Sequence, residues 1–254
     1  MLNTNAKIRL YVENDLKAGT DLLIEGNGGH YLVNVMRVKM GACVILFNGR
    51  EGDWLAEVVK VGKGKARLAV REKVRDQKPE GDLWYLFAPI KKARTDYMIQ
   101  KATELGVSLM RPILTERTNL DKLKHDRLNA NAIEAAEQCE RMTVPKVAEL
   151  IKLGDMLANW PEDRLLMFCD EAGEDGQNCY TIGRAINEAG AWQDHAKKWA
   201  ILIGPEGGFT EEERVMLRKQ ANVVPITLGP RILRADTAAI AAISLWQSFA
   251  GDWA

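Results

Sequence analysis

Two short stretches place glycine and proline where chemistry would need bare backbone. Ile203–Phe209 reads IGPEGGF and Leu228–Thr237 reads LGPRILRADT. A glycine-rich turn between a strand and a helix usually offers free N–H groups to phosphate. Here the charge has the wrong sign. Glu206 sits inside the first stretch, and Glu211, Glu212 and Glu213 follow it. Neither G-x-x-x-x-G-K-[ST] nor G-x-G-x-x-G is present. Thr210 and Glu213 make a capping-box pattern, which by itself explains an acidic first turn. It does not explain Gly204, Pro205, Gly207 and Gly208, because a simple turn rarely needs three glycines. Four carboxylates would repel a phosphate. The glycines therefore point to backbone approaching a ligand that is not strongly anionic, such as a neutral adenosine or one carrying a sulfonium cation. A third loop adds Asp170 and Glu171 straight after an apolar run.

These loops need a sheet to hold them. From residue 83 onward, strand-like and helix-like segments alternate. WYLFA (84–88), LMRPIL (109–114), RLLMFC (164–169), WAILI (199–203) and VVPITL (223–228) read as strands. Residues 94–105, 127–142, 176–189, 211–220 and 237–250 read as helices, with Tyr97, Met98, Ala102 and Leu105 on one face of the first. Such alternation gives a parallel α/β sheet, whose ligands sit at the carboxyl ends of the strands. The first 74 residues read differently. IRLYV (8–12), ACVILF (42–47), WLAEVVKV (54–61) and ARLAV (66–70) are short, apolar and separated by Gly/Asn/Asp turns, with one helix-like insert, HYLVNVMRV (30–38). That pattern predicts a small β-barrel. The expected organisation is a β domain over 1–74, a polar linker over 75–82 and an α/β domain over 83–254.

Composition bounds the partners. The 254 residues carry 35 basic and 35 acidic side chains, yet residues 1–74 hold 12 basic against 8 acidic. A basic front on a neutral chain fits a polyanion, or chance scatter of solvated charge. No apolar run reaches eighteen residues, and the N-terminus has no signal-peptide core. Cys43, Cys139, Cys169 and Cys179 show no paired or zinc-type spacing, so they read as reduced cytoplasmic thiols with no metal.

Taken together, I-G-P-E-G-G-F followed by L-G-P-R-I-L-R-A-D-T-A resembles the cofactor signature of the SPOUT methyltransferases. The chain is most similar to the ribosomal RNA small-subunit methyltransferase E family within them. IRLYV and HYLVNVMRV resemble that family's PUA-like RNA-binding barrel. KKARTDYMIQKATELGV, ERTNL and EAAEQCER resemble its first Rossmann-like half. The resemblance implies S-adenosylmethionine as cofactor and N3 of a uridine in 16S rRNA of the small ribosomal subunit as target. It also implies a C-terminal trefoil knot, which no pattern argument would propose, and a homodimer. Ala238, Ala239, Ala241 and Ala242 would suit a partner's close approach, or burial within one subunit. The cofactor positions that follow are Asp170, Glu171, Ile203, Gly204, Pro205, Glu206, Gly207, Gly208, Leu228, Gly229, Ile232, Leu233, Arg234 and Thr237. Position 236 is Asp where relatives more often carry Glu, and it fits a helix N-cap.

Uracil N3 is a poor nucleophile until it loses its proton, so a cation beside the base would help. Arg234 is the first candidate, or else a structural arginine on loop carbonyls. Glu137, Gln138 and Arg141 lie within one helical turn and could read the edge of an extruded uracil, or simply be solvated. Arg9, His30 and Arg37 in the basic domain, and Lys91, Lys92 and Arg94 after the first α/β strand, suit RNA phosphate and 2′-hydroxyl contacts. His30 also fits an ordinary helix start. Rival readings are a related enzyme acting on a ribose 2′-hydroxyl or on transfer RNA, a phosphate-binding hydrolase, and a non-catalytic RNA-binding adaptor.

Overall fold

The computed structural model describes residues 6–119, 123–170, 179–189 and 197–253. The chain divides into two compact units, Met1–Pro79 with Ala136–Val144, and Glu80–Ala135 with Pro145–Ala254.

The first unit carries β1 (Arg9–Tyr11), β2 (Asp21–Ile24), α1 (Gly26–His30), β3 (Cys43–Phe47), β4 (Asp53–Gly62) and β5 (Lys65–Arg75). Its sheet runs β1-β3-β4-β5-β2. Neighbours are antiparallel except β1 and β3, which are parallel. Alternate side chains Val44, Leu46, Ala56, Val58, Leu68 and Val70 meet Leu10, Leu22, Ile24 and Leu32 in one core. Register shifts in β4, including one between Leu55 and Ala56, bend and twist it against β5.

The helix expected over 30–38 starts earlier, at Gly26, and continues as a π-helical turn, Tyr31–Val35. Gly29 permits this, because a Cβ there would stand 2.4 Å from the Gly64 carbonyl oxygen. Arg37, at φ 52°, ends the turn. β5 reaches Arg75, whose Nε donates to Asp53 at 2.8 Å.

The second unit carries β6 (Leu83–Phe87), α2 (Lys92–Glu104), β7 (Leu109–Leu114), α3 (His125–Gln138), β8 (Lys146–Val147), β9 (Ile151–Lys152) and α4 (Leu153–Ala158). Then follow β10 (Arg164–Cys169), α5 (Ile182–Glu188), β11 (Lys198–Ile203), α6 (Glu211–Arg218), β12 (Val223–Ile226) and α7 (Ala235–Ala250). The last turn of α3 is grouped with the first unit. The strand order is β12-β10-β11-β6-β7-β8, with β9 on the end of β7. Every pairing is parallel.

β11 is buried without a break from Trp199 to Ile203, as a strand covered on both faces must be. At the opposite end of the sheet from the loops, buried Arg164 donates to the Trp199 carbonyl at 2.7 Å and lies 3.8 Å from the Trp84 ring centroid.

Two expectations change here. Tyr97 does not join the buried face of α2; it is 43% exposed, with Lys101 over its ring. Ala238, Ala239 and Ala242 are buried within their own unit, where α7 packs on α2, α5 and β11. Those three small side chains serve close packing inside the subunit.

Candidate active site

The carboxyl ends of β10, β11 and β12 and the start of α2 surround one cavity of about 980 Å3. It sits where spatial order departs from chain order, because β11 lies between β10 and β6 and the chain must cross β10 to reach β12. Asp170, Ile203–Gly208, Leu228, Gly229, Ile232, Leu233 and Arg234 all line it. Lys91, Arg94, Phe209 and Arg214 also contribute, and the cofactor reading of the sequence omitted them. Thr237 is exposed in the first turn of α7 and does not line the cavity; its N–H bonds Asp236 Oδ1 at 2.9 Å. Glu171 lies outside the described residues.

The glycines of the first loop divide by task. A Cβ on Gly204 would meet the Phe209 ring at 2.5 Å. Phe209 in turn packs edge-on against Phe168, centroids 5.0 Å apart. Gly208 has φ +67° and Gly229 in the second loop has φ +105°, both left-handed. Internal packing and turn geometry thus explain Gly204 and Gly208, which the sequence had assigned to ligand approach alone.

The acidic residues are likewise committed. Glu213 is buried in a capping box: Thr210 Oγ1 accepts from its N–H, while its Oε2 accepts from the Thr210 N–H at 2.9 Å. Its Oε1 accepts from the Glu116 N–H at 2.8 Å, which ties α6 to the loop after β7. Asp170 pairs with Arg218 at 2.6 Å and Arg214 at 3.5 Å, and the Arg218 guanidinium is raised chiefly by that bond. Arg94 grips both carboxylate oxygens of Asp236, at 2.9 and 2.7 Å, and also bonds Glu206. The hydrogen bond from Arg94 holds the Asp236 carboxyl below the usual carboxylate range. Arginines therefore offset the acids that seemed to face the ligand. The rest of the wall is loop backbone, apolar Ile203, Phe209, Ile226, Leu228 and Leu233, Ile232 left 87% exposed, and the cations Lys91, Arg231 and Arg234. A nucleoside-sized ligand fits this volume.

Asp236 is not a cap. Arg234 holds the N-cap position of α7, at φ −66° and ψ 150°, without a side-chain cap bond. Its side chain is exposed and meets no hydrogen-bond or ionic partner among the described residues.

Glu137 and Arg141 belong with the first unit. Glu137 Oε1 accepts from the Tyr11 N–H at 2.9 Å, anchoring β1, and Gln138 is exposed beside it. Arg141 Nε donates to Thr143 Oγ1 at 3.2 Å, and its carbonyl accepts from Arg9 at 3.0 Å. Arg9 is not an RNA-facing side chain. It is 9% exposed, forks onto Asp53 at 2.6 and 3.1 Å and stacks on Phe47, because burial of a guanidinium demands such partners. Arg37 is exposed, and His30 is exposed with its ring bonded to Asn34 at 2.8 Å. Lys91 and Lys92 are exposed, whereas Arg94 is spent on Asp236 and Glu206.

Comparisons with known proteins match this layout. The RNA methyltransferase domain family matches residues 76–247, and the RNA methyltransferase PUA domain matches residues 24–70. Ribosomal RNA small subunit methyltransferase E of Rickettsia conorii is 30% identical over 237 residues, 93% of each chain. Its namesake in Bacillus subtilis is 31% identical over 229 residues, 87% of each chain. The crystal structure of the Neisseria gonorrhoeae protein of that name, bound to S-adenosylmethionine, superposes with a TM-score of 0.84 at 27% identity, covering 97% of this chain and 99% of that one. A Legionella pneumophila methyltransferase with bound cofactor SAM gives 0.82 at 28% identity, covering 95% and 97%. The chain belongs to the RNA methyltransferases of the ribosomal RNA small subunit methyltransferase E family.

Proposed function

We propose that this chain methylates N3 of a uridine in 16S rRNA of the small ribosomal subunit, using S-adenosylmethionine. One observation carries the reading: the two Gly-Pro loops and Asp170 at the end of β10 border one cavity of about 980 Å3, where Asp170 and Glu206 are paired and Arg234 has no side-chain partner among the described residues. When bound, S-adenosylmethionine supplies an electrophilic methyl group on a sulfonium centre. The backbone of Ile203–Gly208 and Leu228–Leu233 would hold the cofactor, and Phe209 supports the first of these loops from behind. Arg234 would stabilise the uracil anion left when N3 releases its proton to solvent, so that N3 could act as the nucleophile. An arginine keeps its charge at any working pH, so it acts as a fixed electrostatic partner.

The same reading carries a trefoil knot, a homodimer and a cytoplasmic setting, supported by the resemblance to SPOUT enzymes. No helix among the described residues is long and apolar enough to cross a membrane.

Calorimetry tests the cofactor assignment. S-adenosylmethionine should bind one site per chain, and ATP should not, because the loop has no lysine at a triphosphate-binding position and Glu206 lies in it. ATP binding without S-adenosylmethionine binding would end this reading.

A further inference from the structure

The loop Pro205–Gly207 has a second face. Behind it lies a separate cleft of about 280 Å3, and Lys91 lines both this cleft and the larger cavity. Lys92, Arg117 and Arg127 line only the cleft. Four cations around so small a space are unusual, and their commitments differ. Arg127 is 2.9 Å from Asp96. Arg117 donates one N–H to the Gly207 carbonyl at 2.9 Å, which leaves other donors of its fork free. The Lys91 and Lys92 side chains have no hydrogen-bond or ionic partner among the described residues. The one carboxylate on the wall among the described residues, Glu206, is taken by Arg94. The cleft also receives the start of α2, which has no side-chain cap and no acid in its first turn, whereas α6 has a capping box and three acids there. Unspent positive charge and an uncapped helix start both favour phosphate.

We propose that this cleft seats one backbone phosphate of the RNA substrate, next to the methylation cavity. The inference rests on the methyltransferase reading for the identity of the RNA. The shared loop then places the strand against the cofactor cavity, with Arg117 joining the phosphate seat to the Gly207 carbonyl.

The test uses Lys92→Ala and Lys92→Arg, because Lys92 is exposed and lines only the cleft. Binding of purified small ribosomal subunits is measured across a salt series. Lys92→Ala should flatten the slope of log K against log salt by about 0.7–0.9, the loss of one phosphate contact. Lys92→Arg should restore the slope, and S-adenosylmethionine affinity should stay constant in both. An unchanged slope in Lys92→Ala overturns the inference. So does saturable binding of inorganic pyrophosphate that Lys92→Ala abolishes, since the seat would then serve a free anion. Methyl transfer by the unaltered chain is assayed in parallel. A changed slope without any transfer would keep the phosphate seat and remove the methyltransferase reading.

Discussion

At the scale of single residues, the two decisive arginines behave oppositely. Arg234 is exposed at the cavity wall with no side-chain partner among the described residues, and Arg94 is fully engaged. Losing one preorganised donor to a developing anion typically costs about 10²–10³ in rate. Arg234→Ala should therefore lower single-turnover methyl transfer by that factor at unchanged S-adenosylmethionine affinity, with Arg234→Lys recovering part. Normal saturated turnover with weakened cofactor binding would make Arg234 structural. Arg94 instead joins the two loops through Glu206 and Asp236. Because the Asp236 carboxyl is held below its ordinary value, its contribution to stability is complete above about pH 4 and is lost as pH falls through the lowered value. Asp236→Asn should cost about 1–3 kcal/mol at pH 7. Urea titration at pH 7 and pH 3 should show a smaller acid loss for the variant than for the parent; equal losses would dissociate the pair from acid stability.

The sequence located Asp170, Glu206 and the glycines but could not show their partners. Arg94 lies 142 residues from Asp236, Arg218 48 residues from Asp170, and no local pattern links such pairs. Arg9 was misread for the same reason: a basic residue beside a strand looks solvent-facing until Asp53 and the Arg141 carbonyl are placed around it.

At the scale of elements, long periodic segments were legible and short ones were not. β6, β7, β10, β11 and the helices α2 and α3 announce themselves by apolar runs and helical spacing, whereas the six-residue α4 was not read. β2, β8 and β9 have four, two and two residues and owe their existence to edge pairing with β5 and β7, so composition cannot reveal them. The start of α6 was readable because Thr210 and Glu213 signal it locally. The start of α7 was placed too late, at Asp236–Thr237, because the acid looked like a cap while its ion pair was invisible. Gly204 ties an element to the site. Gly204→Ala would force the Phe209 ring out of its packing against Phe168, at a cost of about 1–3 kcal/mol for overpacking. Thermal unfolding should show that loss, and calorimetry should show weaker S-adenosylmethionine binding. An alanine variant with parental stability and affinity would mean that the loop yields freely.

At the scale of the whole molecule, the change of grammar near residue 75 led the sequence reading to a linker over 75–82 and a basic front domain, and the chain divides into Met1–Pro79 with Ala136–Val144 and a second unit. What it could not mark is the return of Ala136–Val144 to the first unit, since the sequence reading ran the helix on to 142, whereas α3 ends at Gln138. Nor does any periodicity encode a knot, which is a property of how the chain threads and not of any segment. Function resides in the convergence of three loops distant in sequence, and one measurement addresses it directly. The purified chain is incubated with undermethylated small ribosomal subunits and S-adenosylmethionine tritiated in its methyl group, and the RNA is then digested to nucleosides. The account expects label in 16S rRNA, recovered as 3-methyluridine and lost in Arg234→Ala. Label in a ribose-methylated nucleoside or in transfer RNA, or no transfer by a chain that binds the cofactor, would contradict it.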